Sequence, residues 1–218
     1  ASESIQLDSR KAQSFLVDGT RFLRRPSDGV KLVLGLSRHW MGIEVSGFVQ
    51  ADRSVVWRDF CAHVQRRAVE MNFLKGEAFT LGGEFLDRGA LDWPDLFLEP
   101  AKEAVLRRTV DLVNAEQEHL ASRGLLLLGP PGTGKTLSGR VMMRQAKSTF
   151  IWVSARDFYR SGAFGGLAYA YDLAAECAPT ILFIEDVDNF LGAESIDLLK
   201  TEMDGIRRRE GIVTVLTT

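Results

Sequence analysis

The sequence predicts an α/β chain in which a parallel sheet is covered by helices on both faces and a smaller α/β region comes first. Three observations predict it. From Leu91 onward, strand-like and helix-like stretches alternate, a pattern that folds as βαβ units with crossover helices. Leu125–Leu128 and Thr180–Ile184 are near-continuous apolar runs, as strands buried on both faces are. A glycine-rich stretch, Gly129–Thr136, joins the first of these runs directly to a helical pattern.

The elements follow in order. Val30–Leu34 is rich in branched residues, and Gly42–Val49 alternates apolar with polar as a half-buried strand does. Val55, Val56, Phe60, Val64, Ala68, Val69 and Met71 then recur roughly on one helical face, and Glu77–Leu86 reads as another strand. These define an N-terminal α/β domain at residues 1–88, whose role its residues do not disclose. The second domain spans residues 89–218. Glu99 and Pro100 open a helix running to Ser122, with proline in its first turn and acids at its start. Leu125–Leu128 is expected as a strand buried on both faces. A helix at Lys135–Lys147, a strand at Phe150–Ser154 and a helix at Leu167–Cys177 come next. Thr180–Ile184 is a buried strand, Ile196–Arg209 a helix, and Ile212–Leu216 a further strand.

Composition sets the class. Hydrophobic residues make up 45% and charged residues 26%, the balance of a soluble globular protein. The 27 basic and 29 acidic side chains give a net charge of -2, which argues against wrapping nucleic acid. Cys61 and Cys177 lie far apart in apolar, helical stretches; they are expected to be reduced core residues of a cytoplasmic protein. No run approaches the ~20 apolar residues that span a bilayer, and Ala1–Arg10 lacks a signal peptide's apolar stretch. No membrane segment is therefore expected in this chain. It opens on Ala1 rather than Met, so an upstream segment is expected to have been removed.

Gly129-Pro130-Pro131-Gly132-Thr133-Gly134-Lys135-Thr136 fits G-x-x-x-x-G-K-[ST] in full, between a strand and a helix. The chemistry explains each residue type. Glycines let the backbone turn tightly and bring its N–H groups around a phosphate, and the helix start adds partial positive charge. Lys135 is suited to the β and γ phosphates of ATP, and the Thr136 hydroxyl to Mg²⁺. Leu137, the next residue, belongs to the same binding loop. The second element is Ile181–Asp188, a buried strand ending in Glu185, Asp186 and Asp188, at the edge of a parallel sheet where ligands bind. Glu185 is expected to support Mg²⁺, commonly through water, and Asp186 to orient the attacking water.

Taken together, Gly129–Thr136 and Ala178–Asp188 resemble the AAA family of the AAA+ P-loop ATPases. Leu199–Gly205 resembles the segment that precedes that family's sensor 1 strand. Trp93-Pro94-Asp95-Leu96 resembles the loop that touches adenine, which makes Asp95 and Leu96 nucleotide contacts by resemblance. The likeness covers about Leu91 to Thr218. It implies a homo-hexameric ring that couples ATP hydrolysis to pulling on a protein client. Two departures stand out. The family's usual order at the second element is Asp-Glu, and here it is Glu-Asp, as in the mitochondrial translocase of the Rieske protein and its bacterial relatives. Asp186 is one methylene shorter than glutamate, and a displacement of about 1 Å can cost ~100-fold in rate. Thr218 stands just before the family's polar sensor 1 residue, and the arginine finger and C-terminal lid helices are not in the sequence, so downstream residues are expected. Phe190–Ser195 is also short for the family's loop at that point.

Remodelling ATPases of this family grip substrate with an aromatic after the second strand. Phe164, before Gly165-Gly166, best resembles that pattern, with Tyr159 second and Phe158 nearby; core packing is the competing role of each. Arg207–Arg209 reads as a solvated helix end, and His39, His63 and His119 show no metal-ligand spacing. The leading function is a protein-remodelling ATPase. A nucleotide-gated scaffold with slow hydrolysis is the alternative, and a nucleic-acid motor a third.

Overall fold

Branched and aromatic residues of the first region pair into antiparallel ladders, and the apolar runs of the second pair in parallel. The computed structural model describes residues 2–6, 12–16, 18–26, 28–39, 42–115, 122–155, 157, 163–189 and 210–218. Its chain divides into two compact units, Ala1–Asn72 and Phe73–Thr218.

In the first unit, β1 (Ser2–Gln6) and β2 (Ala12–Leu16) form an antiparallel ribbon. β3 (Gly19–Arg24), β4 (Lys31–His39) and β5 (Gly42–Phe48) form a three-stranded antiparallel sheet in sequence order. The β3–β4 turn is pinned by Arg25, whose Nε donates to Asp28 Oδ1 at 2.9 Å. That contact holds the exposed Asp28 carboxyl down to about 2. Helix α1 (Ser54–Glu70) follows. Its half-buried residues are Val56, Trp57, Phe60 and Cys61, whereas Val55 and Val64 are exposed. The inward face is therefore rotated from the one the apolar spacing suggests, because Trp57 seats on β5. A Cβ at Gly47 would fall 2.0 Å from the Trp57 ring, so only glycine allows that approach.

The second unit is a five-stranded parallel sheet covered on both faces, the α/β class expected. Its strands are β6 (Ala78–Thr80), β7 (Arg123–Leu127), β8 (Thr149–Val153), β9 (Thr180–Ile184) and β10 (Ile212–Thr217), in the order β6-β8-β9-β10-β7. Helices α2 (Pro100–Asn114) and α3 (Lys135–Gln145) cover one face, where Leu106, Val110, Val141 and Met142 pack on Phe150, Ile181, Phe183 and Val215. Helix α4 (Ala163–Glu176) covers the other, with Leu167, Ala170 and Ala174 against Ile151, Val153, Leu182 and Ile184. Alternate residues of the central strands thus face opposite layers.

Three expectations change. The sequence places Glu77–Leu86 in the first domain, with the boundary at 88. Its Ala78–Thr80 instead pairs in parallel with β8, so the unit begins at Phe73. The leucine run is not buried on both faces: among the described residues β7 pairs only with β10, leaving Leu126 at 49% and Leu128 at 72% exposure. Leu125 and Leu127, one residue out of phase, pack against the α2–α3 layer. Helix α2 ends at Asn114 rather than near Ser122, where Asn114 Nδ2 donates to Gln145 O (3.0 Å) and its Oδ1 accepts from Lys147 N (2.7 Å). The expected helix at Ile196–Arg209 lies outside the described residues. Among those described, no helix is long and apolar enough to cross a membrane. Cys177 is buried and Cys61 half-buried, and neither forms a disulfide.

Candidate functional site

β7 delivers the chain to its C-terminal edge, and the next residues must reverse into α3. Gly132 (φ 81°) and Gly134 (φ 88°) supply the left-handed backbone for that reversal. A Cβ added at either would meet nothing within 4 Å, so both glycines are required by conformation, and the space beside them is open. Gly129 is required by contact, since a Cβ there would come 2.9 Å from Thr133 Oγ1. The Thr133 hydroxyl donates to Pro130 O at 2.8 Å, and the Lys135 ammonium donates to Gly129 O (2.6 Å) and Pro130 O (3.0 Å). The lysine thus closes the loop on itself, with its charge held at the loop's centre.

The acids arrive from β9, two strands away from β7 with β10 between them. The Thr136 hydroxyl, at the start of α3, donates to Glu185 Oε1. The other carboxylate oxygen, Oε2, accepts the Trp152 indole N–H at 3.1 Å. Asp186 takes a left-handed backbone (φ 51°), and its N–H donates to Thr217 Oγ1 at 2.9 Å. Asparagine and aspartate visit this region more readily than other side chains.

A cavity of about 820 Å³ opens over the loop, walled by Gly132, Gly134, Lys135, Thr136, Asp186 and Asp188. A second, of about 480 Å³ and more apolar, shares Gly129 and Lys135 and is walled further by Leu98, Val105, Leu126 and Leu128. Donor N–H groups, a cation, a hydroxyl and acids thus meet in one place, with an apolar slot beside it. The residues fit a polyphosphate with a divalent metal.

Sequence reasoning brought most of this together: Gly129–Leu137, Glu185 and Asp186 converge. Asp95 and Leu96 are placed elsewhere. The Asp95 carboxylate accepts the Asp92 N–H at 2.8 Å as part of a capping turn, and Leu96 is buried in the core. Leu98, two residues on, is the one that walls the apolar slot. Phe158 and Tyr159 lie outside the described residues, as do Arg207–Arg209 and the side chain of Phe164. Trp152, Thr217 and Leu98 were not foreseen. A tryptophan within an apolar strand carries no signal of its own, and neither does a threonine at a strand end.

Residues 125–218 match the model of the ATPase family associated with various cellular activities (AAA). A 26S proteasome regulatory subunit homolog of Methanocaldococcus jannaschii is 36% identical over 112 aligned residues, covering 45% of this chain and 30% of that protein. The ATP-dependent zinc metalloprotease FtsH 1 of Symbiobacterium thermophilum is 34% identical, covering 53% of this chain and 23% of its own length. The FtsH of Magnetococcus marinus is 27% identical over 99% of this chain and 37% of its own length. The chain thus spans about a third or less of the curated relatives it matches first. Among solved structures, the FIGL-1 AAA domain in complex with ADP matches 60% of this chain and 49% of its own at 27% identity, with a TM-score of 0.44.

Proposed function

Residues 125–218 belong to the AAA family of ATPases, and from that premise we propose that the chain binds ATP with Mg²⁺, hydrolyses it, and works in a ring that remodels a protein client. The observation that carries the chemistry is the meeting of Thr136 with Glu185. These residues lie 49 positions apart, yet they share a hydrogen bond at the rim of the glycine loop.

Each residue then has a part. Backbone N–H groups of Gly132–Thr136 and the start of α3 would cradle the phosphates. Lys135 would exchange its two loop carbonyls for phosphate oxygens, a trade of neutral acceptors for charged ones. Thr136 would hold Mg²⁺ with Glu185 behind it. The metal, when bound, neutralises charge on the phosphates. Asp186, on the cavity wall, would accept a hydrogen bond from the attacking water and orient it. The apolar slot beside Leu98 and Leu126 suits the base, in place of the Asp95–Leu96 contact. The ring and the client are supported by family membership and by the names of the relatives, which include a proteasome regulatory subunit homolog. The first unit, separate from the ATPase domain, is suited to recruit that client, and Phe164 to grip it.

The test is phosphate release. Lys135→Ala should abolish it together with nucleotide binding. Asp186→Asn should keep binding but slow release about 100-fold or more. Release by Asp186→Asn at the wild-type rate would remove Asp186 from its role.

A further inference from the structure

Strand β9 is flanked by β8 and β10, and each neighbour sends one side chain to the residues just past its end. From β8 the half-buried Trp152 reaches Glu185 Oε2 through its indole N–H. From β10 the buried Thr217 accepts the Asp186 N–H. These two contacts fall on the two acids whose order is reversed. We propose that Trp152 and Thr217 are positioning residues of the ATPase site: the indole sets the Glu185 carboxylate, and the threonine hydroxyl sets the Asp186 peptide.

The indole is well held. Its ring lies 4.6 Å from Phe183 and 6.1 Å from Phe150, and Phe183 in turn sits so close to Gly139 of α3 that a Cβ there would fall 2.5 Å from its ring. Neighbours on the sheet fix the ring plane, so its single donor aims at one place. A glutamate at this position has one more rotatable bond than the aspartate usual in the family. The Thr136 hydroxyl takes one oxygen and the Trp152 indole the other, which removes that freedom before a metal is bound. A ligand oriented in advance gives up less freedom on binding. Beyond Glu185 the backbone turns left-handed at Asp186. The bond to Thr217 closes that turn and brings the shorter acid to the cavity wall that Lys135 and Thr136 share.

The inference rests on the assignment of Glu185 and Asp186 made above, and its test separates the two. Four tryptophans give four indole N–H resonances in the full chain, and Trp152→Phe identifies which is Trp152. Read without nucleotide or metal, Glu185→Ala should move that resonance and leave the other three. An unmoved resonance overturns the clamp, whatever the site's activity. Trp152→Phe keeps the ring stack and loses the donor. It should weaken the Mg²⁺-dependent part of nucleotide affinity about 10-fold or more and leave affinity in EDTA unchanged. An equal loss in both, or none in either, overturns the role. Thr217→Val should lower kcat about 10-fold at constant KM, with Thr217→Ser restoring it; failure of serine to restore it overturns the Thr217 half. Should Trp152→Phe fail to fold, Trp40→Phe, Trp57→Phe and Trp93→Phe assign the other three indoles, and the Glu185→Ala spectrum still decides. If instead Lys135→Ala kept nucleotide binding, the site assignment would fall while the indole contact stood.

Discussion

Gly139 shows how much of the site is decided by single residues that belong to no motif. Glycine in a helix interior costs about 1 kcal/mol relative to alanine, so its place in α3 needs a reason. The reason is Phe183: a Cβ at residue 139 would stand 2.5 Å from that ring. The helix that begins with Lys135 can therefore lie close on β9, the strand that leads into Glu185. Gly139→Ala should destabilise the chain by about 1–3 kcal/mol through overpacking, despite its better helix propensity, and a lowered urea midpoint would record it. An unchanged or raised midpoint would show that Phe183 can yield. Residues of this kind were not legible in the sequence. Gly129–Thr136 and Glu185-Asp186 were, because phosphate chemistry needs those types at fixed spacing along the chain. Gly139, Trp152 and Thr217 act across strands and helices, and nothing local to them marks the partner.

At the level of elements, α3 matters most, since its first turn carries Lys135 and Thr136. Its far end is fastened by Arg88, whose guanidinium donates to Met143 O (2.6 Å), Ala146 O (2.6 Å), Gly76 O (2.8 Å) and Ser148 O (3.0 Å). A cation at a helix C-terminus meets both the unpaired carbonyls and the negative end of the dipole. Burial pulls the Arg88 pKa down, with nearby Glu77 acting against it. Arg88→Ala should cost roughly 2–4 kcal/mol, since it leaves several part-buried carbonyls without a donor. Thermal unfolding should show this, and Arg88→Lys should recover only part, having no planar fork. A Tm equal to wild type for Arg88→Ala would mean water replaces the guanidinium without penalty. Strand existence was readable for β4 to β10 from apolar runs and alternation, whereas strand order was not. Four leucines look alike whether the strand is central or at an edge, so the exposure of Leu126 and Leu128 was missed. Within Glu77–Leu86 only Ala78–Thr80 forms a strand, and nothing in the segment says which sheet it joins.

For the whole molecule, the division into Ala1–Asn72 and Phe73–Thr218 sets antiparallel strands and, among the described residues, one α-helix apart from the unit that carries the glycine loop. The parallel sheet of the second was legible because βαβ alternation admits few topologies; in the first, short strands left the pairing open. If nucleotide organises a ring, light scattering should give a mass of about six chains with MgATP, and a smaller one without nucleotide or for Lys135→Ala. Equal masses in all three would remove the ring from the account while leaving the site. The proposed chemistry requires nucleotide to bind at the loop closed by Lys135. Calorimetric titration of the intact chain with ADP and Mg²⁺ measures that binding. One nucleotide bound per chain in the wild type, and no measurable heat with Lys135→Ala, is the result expected. Equal binding by both proteins, or none by the wild type, would contradict it.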